Sequence, residues 1–490
     1  MSALKLVDVT MRDGNQSLWG ATGLDTAHML QAAALTEACG FRAIDFASSS
    51  HMAVAVRYFR NNPWERLRRM AAALPSTPLQ FITTGLRFIA WQQADPEFMR
   101  LVYRALQVNG VGRFVLLDPM HEVPAVIEAA RLVKAEGDAE VMCALTFTLS
   151  EVHTDQFYAD FARAVGQSAD IDLFYIKDPS GLLSIDRTRT LVPAVRAAIG
   201  SRPLEIHAHT TIGQGMLSSL EAAKLGISAI HVGVGPGGDG SSLPEANRTL
   251  ANLEEAGHTI EIDRAALARL TAYWNRVVLA ENLPAGRPRN FDASFLRHQI
   301  AGGAMTTTLR QLEELGLADR MAAVIAETEQ VRAELGHPIM VTPFPQMVMS
   351  QALFNVIGSR RYAQVSDQVI RYVMGKFGKP TSPIDPTVLA AILDRPRSRE
   401  LADEPAFPAL ADLRRQFGPR MPDEEFLLRA VMPGDQVDAM MAARPSRAGY
   451  TPEAAPLLAL LRKLAAQPQA HDIVVERGGM RIALHAGASL

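Results

Sequence analysis

The chain has 490 residues, of which 48% are hydrophobic and 21% charged: ample for a sizeable core and too many for one ordinary domain. A formal net charge of −3 with a pI near 6.5 leaves a nucleic-acid partner without electrostatic support. The only cysteines, Cys39 and Cys143, sit in apolar surroundings, which excludes a disulfide framework or a cysteine-built zinc cluster.

The first half alternates short apolar runs with amphipathic stretches. Strands are expected at LKLVDVT (4–10), RAIDFA (42–47), PLQFITT (78–84), GRFVLLD (112–118), EVMCALTFT (140–148), DLFYIK (172–177), PLEIHAH (203–209) and AIHVGVG (229–235). Helical segments such as AHMLQAAALTEACG and PEFMRLVYRALQVNG lie between them, the latter ending on a glycine suited to a helix C-terminus. This alternation predicts an α/β fold, a (β/α)8 TIM barrel, over residues 1–285. A doubly wound open sheet is the alternative, but no glycine-rich phosphate loop follows an early strand. From there to about 445 the pattern turns helical, suggesting a second, helical domain over 286–445. Residues 446–490 read as a small tail: an alanine-rich helix (454–466), then a hairpin turning at Gly478–Gly479. PRSRELADEPAFP (395–407) reads as a hinge or exposed loop. MSALKLVDVT enters a strand-like run with no signal peptide, and no apolar stretch has membrane-spanning length, so a cytoplasmic location is expected.

Active sites of such barrels lie at the carboxyl ends of the strands. There the sequence places Asp8, Arg12 and Asp13 (strand one), Asp45 (strand two), Thr84 (strand three), Asp118 (strand four), Lys177 (strand six), His207 and His209 (strand seven), and the loop GPGGDGSSLPE (strand eight). Residues two apart on a strand share a face, so His207 and His209 point together into the barrel mouth, a natural metal pair. Asp13 offers an oxygen ligand beside them. Lys177 is unusual, because a bare ammonium is costly to desolvate at the end of a buried strand. It either pairs with Asp178 or Asp13, or captures carbon dioxide and becomes an anionic carbamate. The carbamate and Asp13 together would offset one divalent ion, with both histidines neutral.

VDVTMRDGNQSLWG resembles the DxTxRDxxQS motif of the carboxyltransferase components of biotin-dependent pyruvate carboxylases, oxaloacetate decarboxylases and transcarboxylases, a metal-dependent TIM-barrel family related to the HMG-CoA lyases. YIKDPSGLL is similar to their IKDxxGLL, HAHTTIG to their HxHxTxG, and NPWERL (62–67) to their PWERL. HQIAGGAMTTTLRQLEELGL (298–317) and VTPFPQMV (341–348) look like their IPGG and VTPxxxxV segments, so the likeness spans roughly residues 4–390. The resemblance implies a divalent metal, zinc with manganese or cobalt as alternatives, on Asp13, carbamylated Lys177, His207 and His209. It implies that Arg12 and Gln16 shape the substrate pocket. It also implies that a strand-eight hydroxyl, matching Ser241 with Ser242 adjacent, relays a proton between substrate and biotin. The helical domain is then expected to admit the biotin arm and support a homodimer or larger oligomer.

Two departures matter. Family members acting on pyruvate carry an arginine at the end of strand three; here Thr84 stands there, with Arg87 three residues on. No segment matches the MKM-like biotin-acceptor motif or a glycine-rich ATP-binding domain, so a separate biotin carboxylase subunit and biotinyl carrier protein are expected. The expected reaction is carboxyl transfer between carboxybiotin and an enolisable carbonyl substrate, in a carboxylase, transcarboxylase or oxaloacetate-type decarboxylase. Metal-dependent aldol or Claisen lyases and synthases of the same barrel are the rival class, because RDGNQ with Gly14 is closer to their motif. A non-catalytic assembly component is the third class, opposed by the four intact metal positions.

Overall fold

A computed structural model of the chain describes residues 4–300, 305, 308–309, 312–314, 316–447, 449–452, 457, 460, 463–464, 472–477 and 480–485. All eight expected strands are present: β1 Lys5–Asp8, β2 Ala43–Ser48, β3 Leu79–Thr84, β4 Val111–Leu117, β5 Glu140–Thr146, β6 Leu173–Asp178, β7 Leu204–Ala208 and β8 Ala229–Val232. They pair in parallel in chain order and close, β1 against β8, into a barrel. Strand residues are buried almost throughout, as expected where helices cover the outside and side chains fill the inside. Lys177 stands in register with His207 across β6 and β7, which brings two of the expected site residues side by side at one end.

The outer helices start where local chemistry predicts. Asn62 caps the helix Pro63–Ala73, its Oδ1 accepting from the backbone N–H of Trp64 at 2.9 Å, with proline at the first position. That helix carries PWERL. Trp64 is fully buried and its indole N–H donates to Glu424 O at 3.0 Å, so this motif anchors the far C-terminal part of the chain.

The apolar interior divides differently from the expected boundary at residue 445. One large cluster unites the barrel with Leu413, Phe426, Leu427, Val437 and Tyr450, so the stretch after about 410 packs on the barrel's flank. A second cluster holds Ile300, Val324, Phe344, Val348, Tyr372 and Leu401, together with Met120 from the barrel. This second body is tied to the carboxyl ends of the strands. Gln299 accepts from Thr148 Oγ1 at 2.8 Å and donates to Leu149 O at 2.8 Å, and Arg332 Nη2 donates to Thr148 Oγ1 at 2.9 Å.

The expected hinge at 395–407 is in part a helix, Pro396–Ala402, with Ser398 and Leu401 buried: proline at its first turn starts the helix instead of breaking it. Strands β9 Asp472–Arg477 and β10 Met480–His485 pair antiparallel, with Arg477 opposite Met480, as a hairpin around positions 478–479. The turn itself and most of the expected helix at 454–466 lie outside the described residues. Among the described residues, no helix is long and apolar enough to cross a membrane.

Candidate active site

After β1 the chain turns through a π-helical segment, Thr10–Gly14, that carries Arg12 and Asp13. Asp8, buried at the end of β1, accepts from Thr10 N at 2.8 Å and Thr10 Oγ1 at 2.5 Å. Thr10 Oγ1 in turn accepts from Val234 N at 2.8 Å, binding this segment to the loop after β8. Gly14 is required by that approach, since an added Cβ would meet Gly237 O at 2.8 Å. The glycine that likened RDGNQ to the lyases therefore has a packing reason here.

β6 delivers Lys177, and the turn after it explains DPSGLL. Asp178 accepts from the backbone N–H groups of Gly181 (2.9 Å) and Leu183 (2.7 Å), and Gly181 takes φ +75° with His209 O 2.8 Å from where its Cβ would stand. Asp178 is thus occupied by backbone, and Lys177 pairs with Asp13 instead. Its Nζ lies 3.3 Å from Asp13 Oδ2 and 2.8 Å from His207 Nε2. Burial lowers the Lys177 pKa, opposed by the charge of Asp13.

His207 Nε2 lies 3.0 Å from Asp13 Oδ2 and 3.3 Å from His209 Nε2. His209 Nδ1 is 2.7 Å from the carbonyl of Ser241; because that oxygen only accepts, Nδ1 carries the hydrogen and Nε2 turns its lone pair to the site. Burial pushes the Asp13 pKa up, but Arg12, Lys177 and His209 outweigh it and hold the carboxyl well below the usual range. Ser17 Oγ donates to Asp13 Oδ1 at 2.8 Å, and Arg12 Nη2 contacts Asp13 Oδ2 at 2.8 Å while its Nε donates to Asp45 Oδ2, also at 2.8 Å. Asp13, His207 and His209 present ligand atoms within 4.8 Å of one another, all buried. A held-ionised carboxylate beside two histidine nitrogens is a donor set that fits a divalent cation.

A cavity of about 380 Å³ opens over this cluster, within the range of small-ligand sites. Arg12, Asp13, Gln16, Thr84, Lys177 and His209 line it from the barrel, and Met340 to Thr342, Pro345 and Gln346 cover it from the second body. The VTPFPQMV segment therefore forms part of the pocket wall.

Ser241 stands beside the cavity. Its hydroxyl donates at 2.7 Å to the carbonyl of Ser17, a lining residue, and its own carbonyl orients His209. Ser242 is fully buried, with its hydroxyl donating to Gly237 O at 2.8 Å. Asp118 likewise caps a turn, accepting from Met120 N at 3.3 Å and Glu122 N at 2.6 Å. Arg87 does reach the cavity. Its Nε and Nη2 each donate 3.0 Å bonds to main-chain carbonyls, of Trp91 and Phe377, and its nearest influences of opposite charge, Asp118 and Glu122, act through space.

Glu205, His231 and Arg113, absent from the expected site residues, form a buried polar layer beneath His207. The signal was available: Glu205 lies two residues before His207, on the same face of β7.

One of the subunits of the pyruvate carboxylase of Methanocaldococcus jannaschii is 30% identical over 392 residues, covering 80% of this chain and 68% of that protein. The chain belongs to the carboxyltransferase family of biotin-dependent carboxylases. Residues 295–479 match the family model described as a conserved carboxylase domain. The 2-oxoglutarate carboxylase large subunit of Hydrogenobacter thermophilus is 28% identical over 478 residues, 92% of this chain and 73% of that one. In fold, the carboxyl transferase domain of Rhizobium etli pyruvate carboxylase superposes with a TM-score of 0.84 at 20% identity, covering 100% of this chain and 85% of that one. This carboxyltransferase is thus an enzyme of that family, and the lyase and assembly-component readings fall away.

Proposed function

We propose that this carboxyltransferase moves a carboxyl group between biotin, borne on a separate carrier protein and loaded by a separate biotin carboxylase, and an enolisable carbonyl substrate that carries an anionic group. The observation that carries this reading is the convergence of Asp13, Lys177 and His209 on the floor of a cavity roofed by the second body, with His207 directly beneath them. These four residues would hold a divalent ion, zinc by donor type. Such an ion would supply Lewis acidity to the substrate carbonyl oxygen and stabilise enolate charge.

Lys177 acts as a carbamate in this reading. Its uncharged amine adds to carbon dioxide: a nitrogen–carbon bond forms as one carbon–oxygen π bond opens onto oxygen, one N–H proton leaves to solvent, and a neutral amine becomes an anionic oxygen ligand. Burial supports it by favouring the uncharged amine as the starting form.

Arg87 gives the substrate class. Arg12 is committed to Asp13 and Asp45, and Lys177 to Asp13 and His207, whereas among the described residues Arg87 donates to main-chain carbonyls. Its charge is therefore available to a carboxylate that Thr84, which carries none, would hold only through a neutral hydroxyl. Thr84 and Gln16 complete the lining on the barrel side. The protein is further proposed to work as a homodimer or larger oligomer in the cytoplasm.

The test is fixation of labelled bicarbonate, with ATP, by the chain reconstituted with its co-purifying partners, against a panel of 2-oxo acids, neutral ketones and acyl-CoAs. Avidin-sensitive labelling of an anionic carbonyl compound is expected. Activity indifferent to avidin overturns the biotin reading, and labelling confined to neutral ketones overturns the role of Arg87.

A further inference from the structure

Beneath the cluster, the barrel interior holds a buried polar chain for which the chemistry above has no use. His207 Nδ1, the ring nitrogen facing away from Asp13, lies 3.0 Å from His231 Nδ1. His231 Nε2 lies 3.0 Å from Glu205 Oε2, and Glu205 Oε1 accepts from Arg113 Nη2 at 2.6 Å. Arg113 continues to Glu140 at 2.8 Å, at the opposite end of the barrel. Arg113, His207 and His231 are 0% exposed and Glu205 2%, so solvent does not choose their protonation pattern. Tyr175 stacks on His231 (ring centroids 5.5 Å apart, planes at 21°) and meets His207 edge-on, which fixes both ring planes.

The hydrogen-bond directions are set from the Arg113 end. Arg113 only donates, and the Glu205 carboxylate accepts from it and from His231 Nε2–H. A neutral imidazole that donates through Nε2 accepts through Nδ1. His207 then carries its hydrogen on Nδ1, and His231 Nδ1 accepts it. We infer that Arg113, Glu205 and His231 are positioning residues that lock His207 in its Nδ1–H tautomer, committing Nε2 as a ligand nitrogen. The Nε2 lone pair and Asp13 Oδ2 then face each other at 3.0 Å, an arrangement that calls for a cation between them. The metal consequence rests on the proposed function; the tautomer lock does not.

Glu205→Gln tests the lock with little change of shape. Arg113 holds the amide oxygen, so the amide NH2 must face His231, reversing both imidazoles and placing hydrogen on His207 Nε2. Adding Arg113→Met lets the amide turn over and restores the original pattern. Long-range proton–nitrogen NMR on metal-free, 15N-histidine-labelled full chain reads the tautomer directly. Competition with a chelator reads zinc affinity, expected to fall roughly 10–100-fold in Glu205→Gln and recover in the double variant. Should Glu205→Gln fail to fold, His231→Leu is expected to lose zinc affinity and His231→Gln, whose amide oxygen still accepts from Nδ1–H, to retain it. A wild-type His207 protonated on Nε2 overturns the inference, as does wild-type zinc affinity in both Glu205→Gln and His231→Leu, or a loss that Arg113→Met does not reverse. If the wild-type tautomer is as stated but zinc does not bind, the metal reading fails and the lock stands.

Discussion

Lys177 shows how one side chain ties location to chemistry. Its amine is buried against Asp13 and the His207 imidazole, so under the proposed function its removal takes one ligand from the site. Lys177→Ala is expected to abolish both retention of a divalent metal, read by elemental analysis, and carboxyl transfer. Arg87→Met removes a charge-assisted contact of about 1.5–3 kcal/mol, so KM for an anionic substrate should rise on the order of 10–100-fold with kcat less affected. Histidine burial also sets the acid limb of stability. His121 packs edge-on against Phe157, Tyr158 and Phe161, no hydrogen-bond partner among the described residues reaches either ring nitrogen, and burial pushes its pKa down to about 3. The unfolded chain takes up that proton below about pH 6.5 and the folded one does not, so stability is full above that pH and declines as pH falls toward 3. His121→Leu should flatten this limb by up to about 1.4 kcal/mol per pH unit, measured by denaturant unfolding between pH 4 and 7.

At the scale of elements, the site is assembled by segments that touch in turn. The π-helical turn after β1 meets the loop after β8 through Thr10 and Gly14, while Gly181 of the DPSG turn and the Ser241 carbonyl both meet His209 at the end of β7. Gly181→Ala is strained by its positive φ and by the His209 carbonyl, and is expected to cost roughly 1–3 kcal/mol while loosening the metal ligands. A melt paired with metal analysis separates the two effects. The strands were legible because apolar runs with turn residues between them repeat eight times. The meeting of Asp13, Lys177, His207 and His209 was legible from the alternation of side chains along β7 and from the position of Lys177 at a strand end. The contacts of Ser241 and Ser242 were not legible, because neighbouring hydroxyls in a loop look alike in sequence and only the path of the backbone decides what each one meets.

For the whole molecule, the second body completes the pocket and the C-terminal stretch braces the barrel. Trp64, locked by Glu424 O, is the clearest brace; Trp64→Ala should cost about 3–5 kcal/mol and free residues near 424 for proteolysis, read by unfolding and limited digestion. The barrel itself is expected to keep its strand content in that variant. The stretch after about 410 shares the barrel's apolar cluster even though its sequence reads as a continuation of the helical domain. Helical periodicity says that a face is apolar, not which surface covers it.

By itself the sequence determined the strand count, the closure into a barrel and the residue types at the strand ends, because each follows from local periodicity and from where apolar runs stop. Tertiary structure alone decided that Arg87 reaches the pocket, and that a second layer of Glu205, His231 and Arg113 stands beneath His207. Those facts depend on side-chain directions and on contacts between residues far apart in the chain, which only the packed molecule brings together.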